Sequence, residues 1–453
     1  MRQRHLLLAL TLCAALLPSP ESPAMEGAPL TRADAVTAAA SRHPRVEAAA
    51  SRQNAAAQQI RQARAGFIPH LALSERFAST NNPMRAFGTR LNQERITMLD
   101  FDPDRLNDPD SIDDFATSIS VRWPLYDSGQ TVHGLRQARQ GEAAAGQHLR
   151  RTVQAAMADA ARAYDGWLLA QKRLETIDQA LAWAQAHEKM IAERHQAGFV
   201  VKSDLLRARL HRSELQQQRL TARSAVTIEG ARLNAAMGED PATVWTAADG
   251  LTGGPGPSGT LGEWEARALD SRPEMAELGH REAMARSEID KRRSARLPSL
   301  SLFGDYEIHT EAFEDAGNNY TVGAMVQWDL FTGGRRTART EEARAGLQEL
   351  EARRRELAAG IAVETRAAYL SAESAWQRMP LAAAGVEQAD EALRIVADRY
   401  GNGLVTVVDL LEAQSAAEKA RFDHLQAIYD YRAARVQLLL AAGVLAAEAL
   451  ASP

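Results

Sequence analysis

The sequence predicts a mainly α-helical, tandem-duplicated protomer that lends four strands to a transmembrane β-barrel. Three observations carry this. The first is a repeat: Arg194-His195-Gln196-Ala197-Gly198, followed by Asp204-Leu205-Leu206-Arg207-Ala208, returns as Arg399-Tyr400-Gly401-Asn402-Gly403 with Asp409-Leu410-Leu411-Glu412-Ala413. One pattern, RxxxGxxxxxDLLxA, thus stands in both halves at an offset of 205. The same offset pairs Trp123 with Trp328, Gly129 with Gly334, Tyr164 with Tyr369 and Gly238 with Gly443, so a whole structural unit is duplicated. The second observation is a set of long proline-poor tracts rich in Ala, Gln, Arg, Glu and Leu, which favour helix. The third is four short segments whose side chains alternate with period two, the signature of strands.

From the N-terminus, Arg2 and Arg4 precede the apolar run Leu6 to Leu17, and Ser22-Pro23-Ala24 offers small residues for cleavage. Residues 1–24 therefore read as a secretory signal, too short to span a bilayer as a helix. The one cysteine, Cys13, lies inside it, so the mature chain is expected to lack disulfides and thiol chemistry. Cleavage moves the net charge from −5 to −6, which gives no electrostatic reason to seek nucleic acid.

The first repeat is assigned to residues 25–240. Ala33 to Ala65 is a half-length helix, and Leu71 and Leu73 mark the first strand. Pro44 matches Pro273 and Pro69 matches Pro298 at an offset of 229, so 24 extra residues lie between Pro69 and Trp123. That interval holds Asn81-Asn82-Pro83 and the acidic stretch Asp100 to Asp114, read as an exposed, solvated loop without a calcium-loop pattern. Phe115 to Trp123 is the second strand, with Phe115, Ile119, Val121 and Trp123 against Ser118, Ser120 and Arg122. Gln130 to Ala197 follows as one helix on the order of 100 Å long. Its Val153, Met157, Ala160, Tyr164 and Trp167 step 4-3-4-3, keeping a seam toward a partner helix. Asp204 to Ala236 is a second half-length helix.

Residues 241–260 form a Gly/Pro-rich linker, read as surface chain. The second repeat, residues 261–453, returns the order: helix Glu263 to Arg296, strands around Leu300-Leu302 and Tyr320 to Trp328, then helices Gly334 to Asp398 and Asp409 to Ala442. Pro380 replaces Glu175 of the first copy and predicts a kink or short break. The tryptophans Trp123 and Trp328, with Tyr126 and Phe331 beside them, fall where strands meet helices, as in an interfacial aromatic girdle. Four strands leave two edges unsatisfied in lipid, so several copies must share one barrel.

The duplicated tip motif, the junctions Trp123-Pro124-Leu125-Tyr126-Asp127-Ser128-Gly129 and Trp328-Asp329-Leu330-Phe331-Thr332-Gly333-Gly334, and the element order together resemble the TolC-type outer-membrane efflux proteins over nearly the whole mature chain. The resemblance implies a homotrimer with a shared twelve-stranded barrel in outer-membrane lipid and a long periplasmic α-helical barrel. It implies a passive channel-tunnel of a tripartite efflux or type I secretion system, linked to an inner-membrane transporter through a periplasmic adaptor. Its periplasmic gate maps onto Asp204, Tyr400, Asp409 and Glu412, with Asp204 placed to accept a hydrogen bond from Tyr400 and Asp409 with Glu412 forming an acidic ring. Asp204 and Asp409 also suit helix caps. Adaptor-docking tips map onto Arg194, Gly198, Leu205 and Leu206 and onto Arg399, Gly403, Leu410 and Leu411. His195 departs from the pattern, standing where the second copy has Tyr400.

Histidines are scattered, and neither HExxH, a phosphate loop nor a serine elbow occurs, so no catalytic residue, metal site or cofactor is expected. The alternative is a structural or adaptor-like exported coiled-coil protein without a pore. An adaptor, however, should carry one helical hairpin rather than two.

Overall fold

The half-length helix that opens each repeat is cut by a proline. Pro44 and Pro273 force the preceding residue out of helical geometry, and His43 (φ −65°, ψ 130°) and Arg272 (φ −67°, ψ 126°) are accordingly extended. In the computed structural model, which describes residues 27–312 and 315–447, the order is β1 (Ala28–Leu30), α1 (Arg32–Arg42), α2 (Pro44–Ala65), β2 (His70–Thr80), α3 (Pro83–Asn92), a 3-10 turn (Met98–Phe101), α4 (Pro103–Asn107), β3 (Ile112–Tyr126), α5 (Gln130–Gln196), α6 (Lys202–Met237), β4 (Trp245–Ala247), α7 (Leu261–Ser271), α8 (Pro273–Ser294), β5 (Ser299–Thr310), β6 (Ala316–Gln327), α9 (Arg335–Gly401) and α10 (Val407–Ala441). The single helices expected over 33–65 and 263–296 are therefore helix pairs. The signal assigned to residues 1–24 lies outside the described residues.

The long helices α5 and α9 are 67 residues each, which makes them rods on the order of 100 Å. α9 runs without interruption through Pro380, so no break occurs there: one proline removes a single N–H, and the turns on either side hold. The seam read from heptad spacing is buried, with Met157, Ala160, Tyr164 and Trp167 inside. Around it Ala156, Ala158 and Ala161 are also buried, and such small side chains let helices approach closely. The core is accordingly a string of small clusters along the rods rather than one globular centre.

At mid-length a belt ties the two repeats together. β1 pairs in parallel with β4, a sheet that sequence periodicity did not reveal in three-residue strands. Asp165 of α5, fully buried, sits between Arg32 (2.9 Å) and Arg432 (2.7 Å). The linker runs over the surface, most of residues 241–260 being exposed, and it is pinned to the rods at several points. Arg432 donates to the Gly250 carbonyl (3.2 Å), Leu251 is buried, and Gly256 lies so close to the Trp376 ring that a side chain there would collide.

The strands make one antiparallel sheet ordered β2-β3-β5-β6. Its register places Leu71, Leu73, Ile119, Val121, Leu302, Tyr306, Tyr320 and Val322 on one face, nearly all exposed. Ser74, Ser118, Ser120, Arg122, Asp305, Glu307 and Asn319 share the other. An apolar, exposed outer face and a polar inner one is the pattern of a membrane barrel wall. Among the described residues no helix is long and apolar enough to cross a membrane.

The 24 extra residues of the first copy are more ordered than their composition implied. They fold as α3, the 3-10 turn and α4, and both Asp100 and Asp114, expected to be solvated, are buried. Asp100 accepts from the Thr97 N–H (2.7 Å) and pairs with Arg90. Asp114 lies 3.1 Å from His309 Nδ1. Satisfied carboxylates can be buried where lone ones cannot.

Candidate functional site at the helical tips

Each helical hairpin turns on a glycine in left-handed backbone, Gly198 at φ +80° and Gly403 at φ +72°. In both turns the chain reaches back to the same place: the Phe199 and Leu404 N–H groups donate to the Arg194 and Arg399 carbonyls, each at 2.9 Å. These six-to-one closures end α5 and α9 and require the glycine. The restarting helices differ. Thr406 caps α10 in a box with Asp409, whose Oδ2 accepts from the Thr406 N–H (2.8 Å) and hydroxyl (2.7 Å). Those hydrogen bonds hold the Asp409 carboxyl below the usual carboxylate range. α6 starts at Val201, which has no capping side chain, and Asp204 stands in its first turn. Neither aspartate is itself the N-cap residue; both sit three positions further in.

One arginine joins the tips. Arg194 donates to the carbonyls of Tyr400 (3.1 Å) and Gly401 (2.9 Å), and its guanidinium lies 5.3 Å from the centre of the Tyr400 ring. Two charge-assisted bonds and a cation–π contact thus clamp the end of α9 to the end of α5. The expected hydrogen bond from Tyr400 to Asp204 is not made. The Tyr400 hydroxyl is buried without a partner, its ring being turned into a core with Ile191, Leu205, Val407 and Leu410. Burial raises its phenol; the Arg194 charge opposes this and the Asp204 charge adds to it. His195, in the place of a tyrosine, closes its own turn at the Val200 carbonyl (2.9 Å). Asp409 and Glu412 are both exposed, one helical turn apart on α10.

The tip leucines divide. Leu205 and Leu410 are buried between helices, because their i to i+4 faces point into the bundle, so they offer no surface to a partner. Leu206 is half exposed and Leu411 half buried. The apolar groups that do stand out are Phe199 (82 % exposed), Val201 and Leu404 (72 %), which the sequence reading passed over. The signal was present: each of Phe199 and Leu404 is a large apolar residue directly after a turn glycine. Arg399 is exposed, unlike its counterpart Arg194. A cleft of about 740 Å³ separates the tips, lined by Arg194, Phe199, Asp204, Tyr400, Gly403 and Val407.

At the opposite ends of the rods the interface aromatics repeat one another. Trp123 donates its indole N–H to the Phe67 carbonyl and Trp328 to the Arg296 carbonyl, both at 3.0 Å, and both rings stay exposed. Tyr126 and Phe331 are exposed beside them. No group of three His, Cys, Asp or Glu side chains among the described residues is placed to hold a metal ion.

The chain is similar to protein CyaE of Bordetella pertussis, 28 % identical over 427 residues that cover 91 % of this chain and 84 % of that one. It is similar to the alkaline protease secretion protein AprF of Pseudomonas aeruginosa, 23 % identical over 89 % of this chain and 82 % of that one. Its fold superposes on the CmeC outer membrane channel of Campylobacter jejuni with a TM-score of 0.75 at 16 % identity, covering 96 % of this chain and 94 % of that one. The family model of outer membrane efflux proteins matches residues 35–239 and again 264–444, one match on each repeat. With two hairpins and two such matches, the adaptor-like alternative falls away, and the chain belongs to the outer membrane efflux protein family.

Proposed function

We propose that this protein is the passive outer-membrane channel-tunnel of a tripartite efflux or type I secretion system, assembled as a homotrimer and closed at its periplasmic tips. The observation that carries this reading is the four-stranded sheet with one apolar and one polar face, both edges open, continuing into rods on the order of 100 Å. The Arg194 clamp on Tyr400 and Gly401 is the closing contact, and three copies of Asp409 and Glu412 ring the aperture with like charge that attracts cations. Asp204 lies within electrostatic reach of Tyr400 and biases the clamp without bonding to it. The exposed Phe199, Val201, Leu206 and Leu404 are the apolar surface on which a periplasmic adaptor docks, with Gly198 and Gly403 permitting close backbone approach. The adaptor in turn links the tunnel to an inner-membrane transporter, which supplies the energy. Likeness along the chain to a protease secretion protein favours a polypeptide cargo.

Single-channel conductance of the purified protein in a planar bilayer tests the gate. Small wild-type currents should rise in Arg194→Ala, since two charge-assisted bonds of about 1.5–3 kcal/mol each are lost. Equal currents in both forms would remove the clamp as the gate, and a trimer that never conducts would remove the channel.

A further inference from the structure

At the end of the sheet away from the helices, one residue of an edge strand is glycine for a reason its own backbone does not explain. Gly317 of β6 has ordinary extended geometry, yet a side chain on it would run into the Asn92 carbonyl at the end of α3. The register shows which face this is. Gly317 lies opposite His309, and His309 opposite Ala116, so all three share the polar face with Ser118 and Ser120. Asp114 is two residues from Ala116 and therefore on that face as well. There Gln93 donates to the Asp114 carboxylate (3.2 Å) and the Asp113 carbonyl (2.8 Å), while His309 Nδ1 lies 3.1 Å from the same carboxylate. Gln93, Asp114 and His309 are all buried in this joint. Arg95 is paired with Glu311 of the other hairpin, and Asn318 donates to Glu94 (3.4 Å). The extra segment of the first copy thus folds inward, onto the polar side of the sheet, instead of outward into solvent.

We propose that residues 83–101 form a lid over the extracellular exit of the pore, seated on the sheet by the Gln93–Asp114–His309 joint and the bare backbone of Gly317. α3 has two faces. Ala86, Arg90 and Gln93 face the sheet and the returning segment, whereas Met84, Gly88 and Leu91 line the opposite stripe, with Met84 and Leu91 exposed. A lid on the lumenal wall turns that apolar stripe toward the pore axis, where the occupant is the same stripe of another copy. The short 311–315 connection of the second repeat has no counterpart segment, so each protomer brings one lid. This inference rests on the shared-barrel reading above.

The test reads access from outside, independently of the periplasmic tips. Ser120→Cys places a thiol on the lumenal wall beneath the lid, and intact cells are treated with a small and a bulky membrane-impermeant maleimide. The small reagent should label it while the bulky one is excluded. Replacing residues 83–101 by a short Gly-Ser linker, or unseating α3 with Gly317→Val, should abolish that size discrimination. Oxidation of Leu91→Cys should also give a disulfide-linked dimer. Equal labelling by both reagents with the lid in place, or a Leu91→Cys chain that stays wholly monomeric on oxidation, would overturn the lid alone. Failure of even the small reagent to reach Ser120→Cys in the linker variant would overturn the pore and the lid with it.

Discussion

Asp165 shows how much of this fold depends on a single side chain. It is wholly buried in α5, 2.9 Å from Arg32 of the first repeat and 2.7 Å from Arg432 of the second. Burial pushes its carboxyl up from the ordinary value, and the two guanidiniums pull it back down. The same chain stretch carries Tyr164, whose hydroxyl donates to the Leu30 carbonyl (2.9 Å) and whose phenol is pushed up to about 12 by burial. Replacing the carboxylate removes the negative charge between two buried guanidiniums, a change that costs about 3–5 kcal/mol when a buried ion pair is broken from one side. Both Asp165→Ala and the isosteric Asp165→Asn should lower the thermal midpoint of the purified protein, followed by circular dichroism in detergent. An unchanged midpoint in Asp165→Asn would mean that shape, not charge, holds the belt.

Between elements, the repeat has a docking rule of its own. α6 ends on Gly238 (φ +79°) and α10 is followed by Gly443 (φ +69°), and each glycine is pressed on the break between two short helices of its own repeat. A side chain on Gly238 would meet the Arg42 carbonyl at 2.6 Å, and one on Gly443 would meet the Arg272 Cα at 2.8 Å. Left-handed backbone alone costs a side chain about 1–2 kcal/mol, and the collision with backbone adds to it. Gly238→Ala and Gly443→Ala should therefore each lower the unfolding midpoint, and the double variant by nearly their sum, because the backbone each would strike belongs to a different junction, Arg42–His43 or Ser271–Arg272. A midpoint unmoved in either single variant would show that the junction gives way. The glycines' 205-residue spacing was visible in the sequence, as were the long helices and the strand faces, because periodicity and duplication are local signals. The helix breaks were less visible, since the effect of Pro44 and Pro273 falls on the residue before them. β1 and β4 were too short for any period to emerge.

As a single chain the molecule leaves apolar helix surface uncovered, and the two long helices show where. α5 and α9 are duplicates of equal length, yet α5 buries nineteen residues and α9 seven. Val363 and Leu370 of α9, one heptad apart, stay largely exposed, and Leu381 still more so. This also marks the limit of legibility at the site. The sequence placed the tips but not the contact between them, because Arg194 meets Tyr400 only after two repeats fold side by side, and no local pattern encodes that pairing. The exposed stripe on α9 and the open edges of β2 and β6 call for the same solution, a neighbouring copy that covers both. Two copies would give eight strands, a barrel whose interior is filled by side chains, so a conduit needs more than two. Three give twelve, and native mass spectrometry of the detergent-solubilised protein should show a trimer. Val363→Asp with Leu370→Asp should shift it toward monomer by placing charge in the covered stripe. A wild-type monomer would refute the shared barrel outright, whereas a trimer indifferent to both substitutions would leave the strand edges as its sole seam.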